Sequence, residues 1–151
     1  MEYSLVIYDS PLGKLLIKMT KKGITEITLM NKKSNQIFHF YKGSNTYMKQ
    51  LKNYFSGVSK TINLPLDISG TDFQKAVWTA TLKIPYGKTA TYSDIAKMIG
   101  KPKAVRAVGT ALAKNPVCIV IPCHRVLPKT GGIGKYALGE KVKKWLLQHE
   151  K

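Results

Sequence analysis

The chain is short of cysteine, acidic residues, arginine and long apolar runs, and each shortage closes off a class of explanation. Only two cysteines occur in 151 residues, Cys118 and Cys123, so no disulfide framework holds the fold. No Cys/His cluster has the spacing of a zinc site. No apolar run approaches the ~20 residues that a membrane-spanning helix needs. The start, Met1-Glu2-Tyr3-Ser4, lacks a signal-peptide layout. A soluble cytoplasmic protein (nuclear in a eukaryote) with no membrane partner is therefore expected. Eight acidic residues face 25 basic ones, a formal net charge of +17. Residues 70–151 hold 15 of the basic residues and 4 of the acidic ones. A surplus this large favours a polyanion, nucleic acid ahead of membrane because no basic amphipathic helix stands out. The alternative is a merely solvated lysine surface. Of the 25 cations only Arg106 and Arg125 are arginine, the residue suited to planar, permanently charged contacts.

What is present has two textures. Residues 3–9, 14–19 and 24–30 alternate or run apolar, with breaks at Pro11-Leu12-Gly13 and Lys22-Gly23, which reads as an antiparallel meander. Gln36 to Tyr41 is a candidate further strand. Residues 45–55 place Tyr47, Leu51, Tyr54 and Phe55 at helical spacing, with Gly57 as the stop. Residues 58–70, polar and broken by Pro65 and Gly70, read as a linker. From Thr71 the pattern is helical: Phe73, Val77 and Ala80 share a face, Trp78 lies beside it, and Pro85-Tyr86-Gly87 ends the segment. The fold class is thus α+β. A small N-terminal antiparallel sheet with a helix (1–69) precedes a mainly helical C-terminal domain (70–151) with a helix-turn-helix.

That motif rests on Thr91-Tyr92-Ser93-Asp94, a capping box that opens a helix to about Ile99. Gly100-Lys101-Pro102 turns the chain, and a second helix is expected from about Lys103 to Lys114. At roughly 100° per residue, Ala104, Val105, Val108, Ala111 and Leu112 fall on one arc and should be buried. The opposite arc carries Lys103, Arg106, Gly109, Thr110, Ala113 and Lys114. Small residues around one long Arg let a helix approach another surface closely. On spacing alone, an αα-hairpin that binds no DNA remains the alternative.

Cys118-Ile-Val-Ile-Pro-Cys-His-Arg-Val126 is the stretch that carries chemistry. Val117 to Ile121 is a β-branched run of strand length, and Pro122 should end its pairing. A thiol, an imidazole and a guanidinium follow at Cys123, His124 and Arg125. A cationic or basic neighbourhood converts a thiol into its nucleophilic thiolate. The alternative is that Cys123 is a small buried hydrophobe. Cys118, in the buried strand, should be inert. The glycines of residues 131–139 imply tight turns or close approach to a ligand. No strand precedes them, and the absence of GxxxxGK argues against a phosphate loop. Residues 140–149 read as a last helix with Val142, Trp145 and Leu146 inward. Two rival functions stay open on these residues, a DNA-binding module without catalysis and a Cys-His hydrolase. The hydrolase would need neither the basic surface nor Arg106.

Ile-Pro-Cys-His-Arg-Val, with Lys-Asn-Pro at 114–116, resembles the active-site signature of the O6-alkylguanine-DNA alkyltransferases. Phe-Gln-Lys-Ala-Val-Trp, Ile-Pro-Tyr-Gly-Lys-Thr, Thr-Tyr-Ser-Asp-Ile-Ala, Val-Arg-Ala-Val-Gly and Trp-Leu-Leu-Gln-His-Glu fit the family in order over most of residues 72–150. Before residue 70 the resemblance is only general. It implies DNA repair by irreversible, stoichiometric alkyl transfer from O6-alkylguanine in double-stranded DNA to a cysteine, after base flipping. Cys123 would be the nucleophile, His124 would take its proton through a water, and Glu150 would orient the imidazole. Arg106 would fill the space left by the flipped nucleotide. Tyr92 would press on the 3′ phosphate and donate to the flipped base, and Ser93 and Lys101 would touch the backbone. Asn115 would hold the turn before the Cys stretch. Val126, Tyr136, Ala137 and Leu138 would form the guanine pocket, with carbonyls of Cys123 and Val126 accepting from the guanine amino group. Family members commonly carry two small residues after the Tyr-Ala pair. Leu138 departs from this, so it is expected to narrow the pocket and favour methyl over benzyl adducts. Some members hold zinc in the N-terminal part; here that part has no Cys and one His, His39, so no metal is expected. No cofactor is expected, and the protein should act as a monomer.

Overall fold

The computed structural model describes residues 3–30 and 44–151; the candidate strand at 36–41 and His39 lie outside the described residues. The chain divides into two compact units, Met1–Ile68 and Ser69–Lys151. In the first, β1 (Ser4–Ser10), β2 (Gly13–Thr20) and β3 (Gly23–Leu29) form the expected meander in the order β1-β2-β3. The register aligns Val6, Ile17 and Ile27 across the three strands, and all three are buried. One face of the sheet is therefore apolar and needs a cover. Helix α1 (Ser44–Phe55) buries Leu51, Tyr54 and Phe55, and Phe55 stacks on Tyr8 of β1 at 6.0 Å between ring centroids.

Residues 58–70 are not simply a linker. Leu66 bridges to Ile24 in parallel, with Ile24 N–H donating to the Pro65 carbonyl (2.9 Å) and Asp67 N–H to the Ile24 carbonyl (2.8 Å). An edge strand offers unpaired N–H and C=O groups, and this segment meets them on β3. Its polarity hid that role, because only Leu64 of the stretch is buried.

The second unit begins with α2 (Asp72–Leu82), capped reciprocally by Thr71 and Gln74. Trp78 is buried and its indole N–H donates to the Ala111 carbonyl at 2.9 Å, which ties α2 to α4 (Val105–Ala113). Helix α3 (Tyr92–Met98) opens on the Thr91–Asp94 capping box, as the spacing predicts. It closes through Gly100, whose N–H reaches the Lys97 carbonyl while Lys101 N–H reaches Ala96. This is the two-bond helix stop that glycine favours. Helix α4 starts two residues later than expected, because Lys101 to Ala104 form a turn of their own. Val108, Ala111 and Leu112 are buried on it; Ala104 and Val105 are only half-buried.

Two short strands, β4 (Ala90–Thr91) and β5 (Val126–Leu127), pair in parallel, so a strand does precede the glycine-rich stretch. They join the start of α3 to the end of the cysteine stretch. Helix α5 (Glu140–His149) turns Lys143 and Leu146 inward, with Glu150 buried at its end, whereas Val142 and Trp145 are half-buried.

Two glycines test how closely the chain packs around Glu150. Gly87 and Gly100 have the same left-handed φ, +75° and +74°. A Cβ on Gly87 would lie 2.9 Å from the Glu150 carbonyl oxygen, whereas one on Gly100 would meet nothing within 4 Å. Gly100→Ala should lose about 1–2 kcal/mol from backbone strain alone. Gly87→Ala should lose about 1–3 kcal/mol more from the contact. Urea unfolding of both variants measures the difference, and equal losses would refute the close packing.

Candidate active site

The stretch before Cys123 is a turn rather than a strand. Ile121 N–H donates to the Val117 carbonyl at 2.9 Å, and Ile119 has φ +80°. A β-branched residue is strained in that region, typically by about 1–3 kcal/mol, and persists only where its surroundings over-determine it. Asn115 does so. Its Oδ1 accepts from Val117 N–H (2.9 Å), and its Nδ2 donates to the Ile121 carbonyl (3.0 Å) and to Cys123 Sγ (3.1 Å). Local apolar content predicted the burial correctly, but it could not show that one side-chain amide would replace a strand partner. Cys123, His124 and Arg125 then form a single 3-10 turn, and all three are buried.

Below this turn lies an ion cluster. Arg125 Nε and Nη2 donate to the two Glu150 carboxylate oxygens at 2.8 and 2.9 Å, and Nη1 donates to the Ile84 carbonyl at 2.7 Å. His124 Nε2 lies 2.8 Å from Glu150 Oε2. Burial holds the imidazole below its ordinary pKa, against the pull of Glu150, so the neutral form prevails near neutral pH. A neutral ring beside a carboxylate places its one proton on Nε2. Nδ1 is then an acceptor, buried and without a hydrogen-bond partner among the described residues.

Lys143 was not anticipated. It is fully buried, and its Nζ donates to the carbonyls of Val126 (2.7 Å) and Lys135 (3.2 Å). Burial lowers its pKa to about 8, which the charge of Cys123 opposes. Lys141 and Lys144 beside it are both exposed. The available signal was Glu150: residues 143, 146 and 150 share a helical face once Glu150 points inward.

These groups act on the thiol. The hydrogen bond from Cys118, the one from Asn115 and the Lys143 charge lower the Cys123 pKa against burial, which raises it. Cys118 is pushed the other way, by the same hydrogen bond and by burial. Cys118 is thus buried, as expected, but it sits in a turn with its Sγ 4.0 Å from Cys123 Sγ.

Cys123 opens onto a cleft of about 750 Å³ lined by Tyr92, Arg106, Gly109, Thr110, Tyr136 and Ala137, among others. Burial raises the Tyr92 pKa and the Cys123 charge raises it further, so its hydroxyl remains a donor. Arg106 is exposed on α4 at the cleft's edge. Of the remaining candidates, Asn115, His124 and Glu150 are buried, and the Val126 carbonyl is held by Lys143. Ser93 is half-buried at the start of α3, and Lys101 is exposed in the turn before α4. Leu138 is half-buried and does not line the cleft, so its position lends no support to a narrowed alkyl pocket.

Residues 72–151 match the family described as 6-O-methylguanine DNA methyltransferase, DNA binding domain, and residues 3–68 its ribonuclease-like domain. The chain belongs to this family. The methylated-DNA–protein-cysteine methyltransferase of Methanosarcina acetivorans is 40% identical over 149 residues, covering 95% of this chain and 96% of its own. The inducible enzyme of that name from Bacillus subtilis is 40% identical, covering 89% and 83%. The Mycobacterium tuberculosis OGT structure in complex with DNA superposes with a TM-score of 0.87 at 38% identity, covering 100% of this chain and 93% of that one.

The pKa of His124 gives a signed prediction. An unfolded chain binds a proton there below about pH 6.5, whereas the folded protein does so only at lower pH. Stability should therefore fall as pH drops below about 6.5 and level off, for this group, once the folded imidazole is protonated. Urea midpoints of wild type and His124→Gln from pH 7.5 downward measure it. The wild type should lose stability faster; parallel curves would remove His124 as the cause.

Proposed function

We propose that this protein repairs O6-alkylguanine in double-stranded DNA, acting as a monomer without a cofactor, and that Cys123 takes the alkyl group once and irreversibly. The observation that carries this reading is a thiol with a lowered pKa facing a cleft whose rim bears a lone arginine on a helix of small residues. The relatives' names and the DNA complex of the M. tuberculosis protein support it.

The lysine-rich surface neutralises phosphates and brings duplexes in regardless of sequence. The target base must leave the stack to reach a buried sulfur, which costs a few kcal/mol and less at a damaged pair. Arg106 takes the vacated space, while Tyr92, Ser93 and Lys101 hold the backbone. In the cleft, Tyr136 and the Ala137 backbone face the guanine.

His124 Nδ1 receives the Cys123 proton through a bridging water, and Glu150 stabilises the imidazolium that results. The thiolate attacks the alkyl carbon, the new S–C bond forms as the C–O6 bond breaks, and guanine leaves with the electron pair. Tyr92, kept protonated by burial, donates to that leaving base. A thioether is not hydrolysed in water, so each molecule reacts once.

Intact-mass measurement after mixing with O6-methylguanine DNA is the test. Wild type should gain one methyl group permanently, and Cys123→Ala should gain none while still binding DNA. Methyl on Cys118 in that variant would overturn the assignment. A DNA-binding module would gain nothing, and a hydrolase would carry no lasting adduct.

Arg106→Ala should separate flipping from docking. Lysines remain for the phosphates, so duplex binding should weaken less than about tenfold. Repair of duplex DNA should fall by on the order of a hundredfold, the size of a few kcal/mol. Reaction with free O6-alkylguanine base should stay near wild type. Equal losses on both substrates would refute this role.

A further inference from the structure

We propose that Cys118 and Cys123 form a reversible intramolecular disulfide when a peroxide oxidises Cys123, so that Cys118 serves as a resolving thiol for the reactive one. The inference rests on the reading of Cys123 as the reactive thiol. Both cysteines are buried and free, and their sulfurs lie 4.0 Å apart, close to van der Waals contact. A disulfide needs the sulfurs at about 2.05 Å, so they must close by about 2 Å. Cys118 lies in the turn that Asn115 pins at Val117 and Ile121, and the same amide donates to Cys123 Sγ, so the pair is held at this separation before any oxidant arrives.

Cys123 lines the cleft and Cys118 does not, so a small oxidant meets Cys123 first. The features that favour its thiolate also favour this reaction. The Cys123 thiolate attacks one peroxide oxygen: an S–O bond forms, the O–O bond breaks, and hydroxide leaves to be protonated as water. Cys123 is then a sulfenic acid. The Cys118 sulfur attacks the Cys123 sulfur: the S–S bond forms, the S–O bond breaks, and the departing hydroxide takes the Cys118 proton as a second water. Two thiols have lost two electrons and one peroxide has gained them. Without a neighbouring thiol, a sulfenic acid proceeds to sulfinic and sulfonic acids, which thiol reductants do not reverse. The crosslink therefore holds back alkyl transfer and preserves the sulfur for later reduction.

The sequence makes the test direct, because one tryptic peptide, Asn115 to Arg125, contains both cysteines. Reduced protein is treated with hydrogen peroxide, denatured with iodoacetamide and digested. The expected peptide carries no alkylation, is two hydrogens lighter than the reduced form, and is restored by dithiothreitol together with methyl-accepting capacity. A peptide with oxygens on Cys123 and alkylated Cys118, or a disulfide between two chains, would overturn the proposal. In Cys118→Ser, peroxide should leave oxygens on Cys123, with on the order of tenfold less capacity recovered by dithiothreitol than in wild type. Equal recovery would overturn the protective role. The wild-type peptide decides the crosslink even if that variant folds poorly. It is read without DNA, so reduced protein that accepts no methyl counts against the transfer reading alone.

Discussion

One carboxylate organises the chemistry of the second unit. Glu150 accepts two hydrogen bonds from Arg125 and one from His124, and it is itself almost wholly buried. A buried ion pair broken on one side typically costs about 3–5 kcal/mol, because the partner is left charged and unpaired. Arg125 must therefore follow Glu150, and His124, adjacent in the chain, is brought to the same oxygen. The third arginine bond, to Ile84, extends this constraint to the segment after α2. Fixing the carboxylate fixes the end of α5, and with it Leu146 and Lys143 one and two turns earlier on the same face. Replacing the cluster with apolar groups could fill the same space, but it would leave nothing to set the imidazole's tautomer.

The cluster also sets the charge state of His124. Glu150 favours a protonated His124, while burial, Arg125 and Lys143 oppose it, and burial is the larger influence. The ring is therefore neutral at rest, with the Glu150 carboxylate already beside it. Lys143 acts on Cys123. Its charge favours the Cys123 thiolate, and its two carbonyl bonds tie β5 to the glycine-rich stretch that walls the cleft. A thiol with a lowered pKa and an imidazole held neutral thus lie on adjacent residues of one turn.

What was legible in the sequence followed periodicity and caps. The meander, α1, the Thr91 capping box, the helix-turn-helix and α5 all declare themselves through local spacing. Three features did not, for a common reason. Val117–Ile121 has the composition of a strand, yet Asn115 satisfies its backbone from outside the run and holds Ile119 at positive φ. Residues 64–67 look like linker because their role, pairing with Ile24, depends on a partner some forty residues earlier. Lys143 looks like surface because its neighbours are lysines, and only the carbonyls of Val126 and Lys135 explain its burial. In each case a hydrogen-bond partner outside the local run outweighed local preference.

Charge and shape divide the work of recognition. The surplus of lysine is spread along the whole chain and carries no information about which base is damaged. On the reading proposed above, discrimination arises at the cleft. On α4 the face at the cleft offers Gly109, Thr110 and Ala113 around Arg106, and the Tyr92 ring sits where a Cβ on Gly109 would be 3.9 Å away. Gly109 costs about 1 kcal/mol of helix propensity against alanine. It keeps the helix face low beside Tyr92, which lines the same cleft as Cys123. A bulkier residue there would lift whatever lies on the helix away from the sulfur. For an in-line displacement, which needs reacting atoms within about 3–3.5 Å, that distance decides between a binding surface and a reaction site.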